Sequence, residues 1–317
     1  MNTKALITFH FSEEQIKSLE ELGFEIISKS ERNLKYTDEL KDVEFMFTYN
    51  PFSHFDIGNL KKLRWIQLES DGFDQVPKEY VKNNGIIVTN NKEGYSVPIS
   101  EWIIWSILSM YKEANVFFKN KEEKRWKLRT SVREIFGETV GILGTGNIAI
   151  ETAKRLQAFS VNVLGLNTTG HQVENFNKCY SSSSDELEAM LKECDVVISL
   201  LPITDKTYHF IDEKIFSMMK AGTIFVNASR GQIVCEEKLI KFLKNGKIRS
   251  AALDVVEQEP LKKDSPLWEM DNVIITPHNS WVSQNMAKRK YKLVYENMKR
   301  YKEGKELKNV VDLEKGY

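Results

Sequence analysis

Thr139-Val140-Gly141-Ile142-Leu143-Gly144-Thr145-Gly146-Asn147-Ile148-Ala149 is the stretch on which the fold turns. Its first five residues read as a short buried strand, and Ile148 to Ala158 carry a helical pattern, so two glycines stand at a strand-to-helix junction. In the spacing G-x-G-x-x-A, Gly144 permits a tight turn, Gly146 lets the backbone approach a pyrophosphate, and Ala149 allows close packing of helix on strand. The amides that open the helix then face the phosphates. The motif predicts a dinucleotide-binding turn over Gly144, Thr145, Gly146, Asn147 and Ile148.

Outward from this turn, short β-rich runs alternate with helical patterns along the whole chain, which predicts parallel sheets covered by helices. The first series is Ala5 to Phe9, Glu25 to Ile27, Glu44 to Thr48, Trp65 to Leu68 and Ile86 to Thr89, with a helix over Glu13 to Leu22. The second is Thr139 to Leu143, Asn162 to Leu166, Asp195 to Leu200, Thr223 to Asn227, Ser250 to Asp254 and Val273 to Thr276, with a further helix over Glu186 to Glu193. An apolar helical segment from Ile99 to Phe118 joins the two series, and Gln284 to Tyr301 is helical again. We therefore expect one domain of residues 1–96 plus 284–317, interrupted by a dinucleotide-binding domain of residues 97–283. Such an insertion creates an interdomain cleft, the usual place for a small ligand. Ser181 to Ser184 reads as a surface loop.

A chain of 317 residues exceeds what one hydrophobic core ordinarily supports, in keeping with two domains. Lys and Arg total 45 and Asp and Glu total 45, so the basic excess that would point to a nucleic acid or an anionic membrane is missing. The local clusters Lys61-Lys62 and Lys288-Arg289-Lys290 read as solvated faces. The opening MNTKALITFHFSEEQ lacks a secretory pattern, and Trp102 to Met110, the most apolar run, is too short to span a membrane and reads as a buried helix. Cys179, Cys194 and Cys235 have neither metal-ligand spacing nor an even count, which fits a reducing cytoplasm. No metal site is indicated, and His10, His54 and His209 show no partner pattern.

The strand after the glycine turn bears on the cofactor. An acidic residue is usual about 20 residues on, where it binds ribose hydroxyls, yet Ser160 to Val173 contains no Asp or Glu. Asn167 stands at that place, and Thr168, Thr169 and His171 are suited to a 2′-phosphate. No Lys or Arg occurs between Leu156 and Asn177, so a cationic clamp is missing too. The reading is NAD(P), leaning to NADP(H) or dual use.

Further motifs fall at predicted strand ends, where a doubly wound sheet places its ligands. They are Leu200-Leu201-Pro202-Ile203-Thr204, Asn227-Ala228-Ser229-Arg230-Gly231, Asp254-Val255-Val256-Glu257-Gln258-Glu259-Pro260-Leu261 and Thr276-Pro277-His278-Asn279. With Leu63-Arg64-Trp65-Ile66-Gln67, Ser70-Asp71-Gly72-Phe73-Asp74 and Ile99-Ser100-Glu101, the chain resembles the D-isomer-specific 2-hydroxyacid dehydrogenases over nearly its whole length. The resemblance implies an α/β fold of two doubly wound parallel-sheet domains, with a Rossmann cofactor domain inserted into a flavodoxin-like substrate domain. It also implies hydride transfer between NAD(P)H and a small 2-keto acid or D-2-hydroxy acid.

By the same resemblance Arg230, Glu259 and His278 are the catalytic trio. An arginine fork binds a carboxylate and polarises a carbonyl; a histidine gives and takes the proton; a carboxylate beside the imidazole orients it and favours its charged form. From the residues alone Glu257 and Asp254 compete with Glu259 for the last role, and the family pattern selects Glu259. Asp254 is expected to face the nicotinamide. Leu201, Pro202, Thr207, Ala228, Ser229 and His278 complete the expected cofactor contacts, and Ser70, Asp71, Gly72 and Arg230 the substrate contacts. Trp102, Trp105, Phe117 and Phe118 read as core or interface aromatics, and Trp281 as a candidate pocket wall. Family resemblance and the apolar linker helix suggest a homodimer. The competing class is a dinucleotide-sensing, corepressor-like binding protein of the same fold. Formate dehydrogenases carry Gln where Glu259 stands, and the longer phosphoglycerate dehydrogenases add C-terminal domains for which this chain leaves no room.

Overall fold

The computed structural model describes residues 3–313. The chain divides into two compact units, Met1–Tyr95 with Ser283–Tyr317, and Ser96–Val282.

The first unit contains β1 (Thr3–Ile7), α1 (Glu13–Glu20), β2 (Phe24–Ser28), β3 (Val43–Thr48), β4 (Trp65–Leu68), α2 (Lys78–Asn83) and β5 (Ile87–Thr89). The helix α3 (Lys92–Tyr111) begins in it and carries the chain into the second unit. Its strands run parallel in the order β2-β1-β3-β4-β5, the flavodoxin-like arrangement. A capping box starts α1, in which Ser12 Oγ accepts from Gln15 N and Gln15 Oε1 from Ser12 N. One face of the sheet is covered by side chains from both ends of the chain, with Val294 and Met298 packed among Phe45, Phe47 and Trp65. A buried polar chain crosses this core: Trp65 Nε1 donates to Thr89 Oγ1 at 2.8 Å, and Thr89 Oγ1 and Asn297 Nδ2 donate to Gln67 Oε1 at 2.8 and 3.1 Å.

The second unit continues with α4 (Ala114–Glu122), β6 (Thr139–Leu143), α5 (Asn147–Gln157), β7 (Asn162–Asn167), β8 (Lys178–Ser181), α6 (Ser184–Glu193), β9 (Val196–Ser199), α7 (Glu213–Met218), β10 (Thr223–Asn227), α8 (Glu236–Lys244), β11 (Ile248–Leu253) and β12 (Val273–Ile275). The chain then returns to the first unit with α9 (Met286–Lys302). The seven strands of this unit are parallel in the order β12-β11-β10-β9-β6-β7-β8, which is the Rossmann order extended by one strand. On α5, Ala149, Thr152, Ala153 and Leu156 are buried at helical spacing, so small side chains let the helix settle on the sheet. On α8 the buried residues are Leu239, Phe242 and Leu243. Cys194 lies beneath Gly141, where an added Cβ would come within 2.4 Å of its sulfur. Burial pushes the Cys194 thiol up to about 12, which removes it as a nucleophile near neutral pH.

Three local expectations are corrected. The segment Ile99 to Phe118 is two helices rather than one, because Glu113 takes a left-handed backbone (φ 52°) between α3 and α4. α3 also starts earlier than expected and runs through Pro98. Ser181 to Ser184 is not a plain loop, since Ser181 ends β8 and Ser184 begins α6. Among the described residues no helix is long and apolar enough to cross a membrane.

Candidate active site

In a parallel sheet every strand delivers its C-terminal end to the same edge, so the loops after β6, β7, β9, β10, β11 and β12 line one rim of the second unit. The chain order reverses between β6 and β9, and such a switch point is where doubly wound sheets open a ligand crevice.

Gly144 holds φ 97°, and a Cβ there would stand 2.9 Å from the Leu200 carbonyl oxygen, so both its conformation and its neighbour require glycine. Gly146 has nothing within 4 Å of a built Cβ, and its residue type provides no side-chain cap for α5. An open approach in front of uncapped helix amides suits a pyrophosphate. At the end of β7, Asn167 is engaged in shaping its own turn: its amide donates to His171 O at 2.9 Å and its oxygen accepts from Thr169 N at 3.3 Å. Thr169 Oγ1 meets His171 Nδ1 at 2.9 Å, and Thr168 is exposed. In the loop after β9, the Thr207 hydroxyl donates to Pro202 O at 2.6 Å and accepts from Thr204 N at 2.7 Å, which closes the turn that follows Leu201.

After β10, Ser229 Oγ donates to Asn227 Oδ1 at 2.7 Å and lies 3.0 Å from Ser199 Oγ, with Ala228 N on Ser199 O. Arg230 follows in extended backbone, with Nη1 donating to Ser229 O at 3.0 Å. Gly231 beside it is fixed by steric crowding, because a Cβ there would lie 1.8 Å from the Val256 carbonyl oxygen. The atoms that a Cβ would strike, Val256 O and C, are backbone, so no rotamer relieves it. Gly231→Ala is expected to destabilise the protein by about 1–3 kcal/mol and to displace Arg230, read as a lower unfolding temperature together with reduced activity. An unchanged melting curve would show that the loop gives way easily.

The loops after β11 and β12 are interlocked. Asp254 is buried, and its carboxylate accepts from Thr276 Oγ1 at 2.6 Å, Asn279 N at 2.8 Å and Ser280 N at 3.0 Å, and from Ser280 Oγ. The carboxylate expected to face the nicotinamide is thus enclosed by the loop that carries His278. That loop needs the support, since His278 sits at φ 52°, where a non-glycine residue is strained; its N–H donates to Asp254 O at 2.8 Å. The three competing acids take three different partners. Glu259 Oε2 lies 2.9 Å from His278 Nδ1, while Glu257 Oε1 lies 2.8 Å from His209 Nε2. His209, which showed no partner pattern in the sequence, is therefore paired. Trp281 Nε1 donates to His278 O at 2.8 Å, leaving the ring partly exposed.

Ser70, Asp71 and Gly72 belong to the first unit, in the loop after β4. Their carbonyls are all used locally: Asn91 N donates to Ser70 O at 2.9 Å, Asn90 Nδ2 to Asp71 O at 2.6 Å and Ser70 Oγ to Gly72 O at 2.6 Å. Among the described residues no three His, Cys, Asp or Glu side chains gather as a metal site would require.

The interlocked Thr276–Ser280 loop and the acids from β11 had a sequence signal only in part. A strand-end Asp followed later by hydroxyl residues was readable; which hydroxyls meet it depended on the β11–β12 register, in which Leu253 faces Ile275.

Comparison with known proteins shows the family of the chain. Residues 104–280 match the family described as D-isomer specific 2-hydroxyacid dehydrogenase, NAD binding domain. The chain is 30% identical over 318 residues to a glyoxylate reductase of Pyrococcus furiosus, covering 96% of this chain and 94% of that one. It is 30% identical over 313 residues to the D-3-phosphoglycerate dehydrogenase of Methanocaldococcus jannaschii, covering 98% of this chain but 59% of that relative's length. In fold it matches, with a TM-score of 0.85, 24% identity and full coverage of both chains, a D-isomer specific 2-hydroxyacid dehydrogenase of Xanthobacter autotrophicus Py2 in complex with NADPH and MES. From the two sheets, the glycine turn and the matched family, this chain belongs to the D-isomer-specific 2-hydroxyacid dehydrogenases.

Proposed function

We propose that this protein interconverts a small 2-keto acid and its D-2-hydroxy acid by hydride transfer with NAD(P)H. The observation that carries the reading is the 2.9 Å pair of His278 Nδ1 and Glu259 Oε2 on the same sheet rim as the Gly144–Gly146 turn. When bound, the nicotinamide supplies the hydride; the chain supplies position, charge and a proton. With Nδ1 occupied by Glu259, Nε2 of His278 is the atom that gives a proton to the carbonyl oxygen in reduction and takes it back in oxidation. The Arg230 guanidinium binds the substrate carboxylate and polarises the keto oxygen.

Glyoxylate and hydroxypyruvate are the substrates to try first, from the names of relatives such as the glyoxylate reductase of Pyrococcus furiosus and a glyoxylate/hydroxypyruvate reductase B of an Enterobacter species. The lean to NADP(H) is supported by the acid-free turn at Asn167–His171 and by the NADPH held in the Xanthobacter structure. The test is a panel of 2-keto acids assayed with NADH and NADPH in parallel. Turnover of at least one acid is expected, with NADPH at least as effective as NADH. If every acid is inert while nucleotide still binds, the dinucleotide-sensing reading replaces this one.

A cytoplasmic homodimer completes the proposal. Trp105, Phe117 and Phe118, expected as core or interface aromatics, are exposed, as are Trp126, Leu128 and Phe136 farther along the same unit. Exposed apolar side chains in such numbers mark an interaction surface. The segment bearing them is anchored by Arg129 on Glu113, Arg133 on Glu138 and Lys112 Nζ on Arg133 O. Trp126→Asp combined with Phe118→Glu is expected to weaken the dimer roughly 30-fold or more, as loss of a central aromatic does. Light scattering would then read one chain mass in place of two, and an unaltered mass would exclude this surface.

A further inference from the structure

Glu259 has no rigid element of its own. It stands on the loop after β11, and among the described residues its Oε1 accepts only a long bond from Val256 N, at 3.4 Å. What holds that loop comes from elsewhere. Glu257 and Glu236 exchange bonds, Glu236 N to Glu257 Oε2 at 3.1 Å and Glu257 N to Glu236 Oε2 at 3.2 Å. The other Glu257 oxygen meets His209 Nε2 at 2.8 Å. His209 in turn is held by its own N–H on Gln232 O at 2.8 Å and by stacking of Tyr208 at 4.2 Å between ring centroids. It lies two residues beyond Thr207, in the loop after β9 that is proposed to meet the cofactor.

We infer that His209 and Glu257 are positioning residues, a clamp that ties the loop after β9 to the loop after β11 and so sets Glu259 against His278. The inference rests on the proposed roles of Glu259 and His278. Both clamp side chains are about one-third exposed, at 32% and 33%, and pairs so wetted add little to global stability. Their use is therefore geometric. Reduction needs the His278 ring to present Nε2 to the carbonyl, an orientation that a well-placed Glu259 carboxylate on Nδ1 secures. When Glu259 drifts, the ring loses that orientation, and kcat falls while KM changes little.

The experiment measures reductive kcat, KM for the 2-keto acid and melting temperature for the full-length wild type, His209→Ala, His209→Gln, Glu257→Gln and Glu259→Gln. A misplaced group costs up to about a hundred-fold, so a fall in kcat of roughly ten- to a hundred-fold is expected in His209→Ala, with KM within about two-fold. Glutamine at 209 places an amide donor near the imidazole Nε2 and should restore most of kcat. An unchanged kcat in His209→Ala, or a glutamine variant as impaired as the alanine one, overturns the clamp. Should His209→Ala fail to fold, Glu257→Gln carries the test, because it keeps the shape and weakens the pairing, and the same fall is required of it. Glu259→Gln separates the two levels. If it leaves turnover intact, the role of Glu259 itself fails; if it lowers kcat while the clamp variants do not, the clamp alone fails.

Discussion

His278→Ala lowers turnover by about 10²–10⁴-fold, the range contributed by a positioned general acid or base, while nucleotide binding at the glycine turn survives. The separation follows from placement: His278 follows β12 at one end of the sheet, whereas Gly144 follows β6, with three strands between. The substitution carries a complication that the backbone makes explicit. His278 is held at φ 52°, a conformation that asparagine tolerates better than alanine does. His278→Asn is therefore the companion variant, since it lacks the acid–base function but fits the loop. Both should be inactive, and both should retain nucleotide affinity by fluorescence titration. Normal turnover in either would remove the imidazole from the chemistry, and lost nucleotide binding in both would mean that the loop, not the proton, had been disrupted.

Arg230→Lys is expected to reduce kcat/KM for the keto acid roughly ten- to a hundred-fold, the equivalent of one charge-assisted hydrogen bond of about 1.5–3 kcal/mol. An ammonium keeps the charge but presents a single point where the guanidinium presents a planar fork. Arg230 Nη1 also donates to Ser229 O, so part of the fork orients the side chain on its own strand end. Lysine loses that orientation as well as the second contact to substrate. Steady-state kinetics across substrate concentration decide the matter. Kinetics close to wild type would reassign the anchor to another cation.

The order of strands and the position of the cofactor turn were legible because they depend on local pattern. Thr139 to Leu143, Trp65 to Leu68 and Thr223 to Asn227 are strands with the bounds expected. The short strand Lys178–Ser181 escaped notice, for four residues at a sheet edge, with only Cys179 and Tyr180 buried, give no periodicity to detect. The break at Glu113 was hidden because the apolar pattern continues on both sides of it. At the rim, the residues that follow strand ends could be named from the sequence, but apart from Glu259 and His278, paired by the family resemblance, their partners could not. Glu257 and Glu259 are separated by one residue and point to different histidines, a distinction set by the path of the loop. Asp254 was expected to face the nicotinamide, but nothing in the sequence announced that its oxygens are taken by Thr276, Asn279 and Ser280, which lie more than twenty residues on. Long-range pairing of this kind has no signature in spacing.

The placement of Val294 and Met298 among Phe45, Phe47 and Trp65 bears on biosynthesis. As the chain leaves the ribosome, the second unit is complete once residue 282 emerges, and domains tend to fold as units in the order of synthesis. The five strands made earliest must wait, with a face rich in aromatic rings only partly covered by α1, until α9 is translated. The oldest part of the polypeptide is thus the last to mature, and a nascent chain stalled before Met286 would present that half-covered face to chaperones.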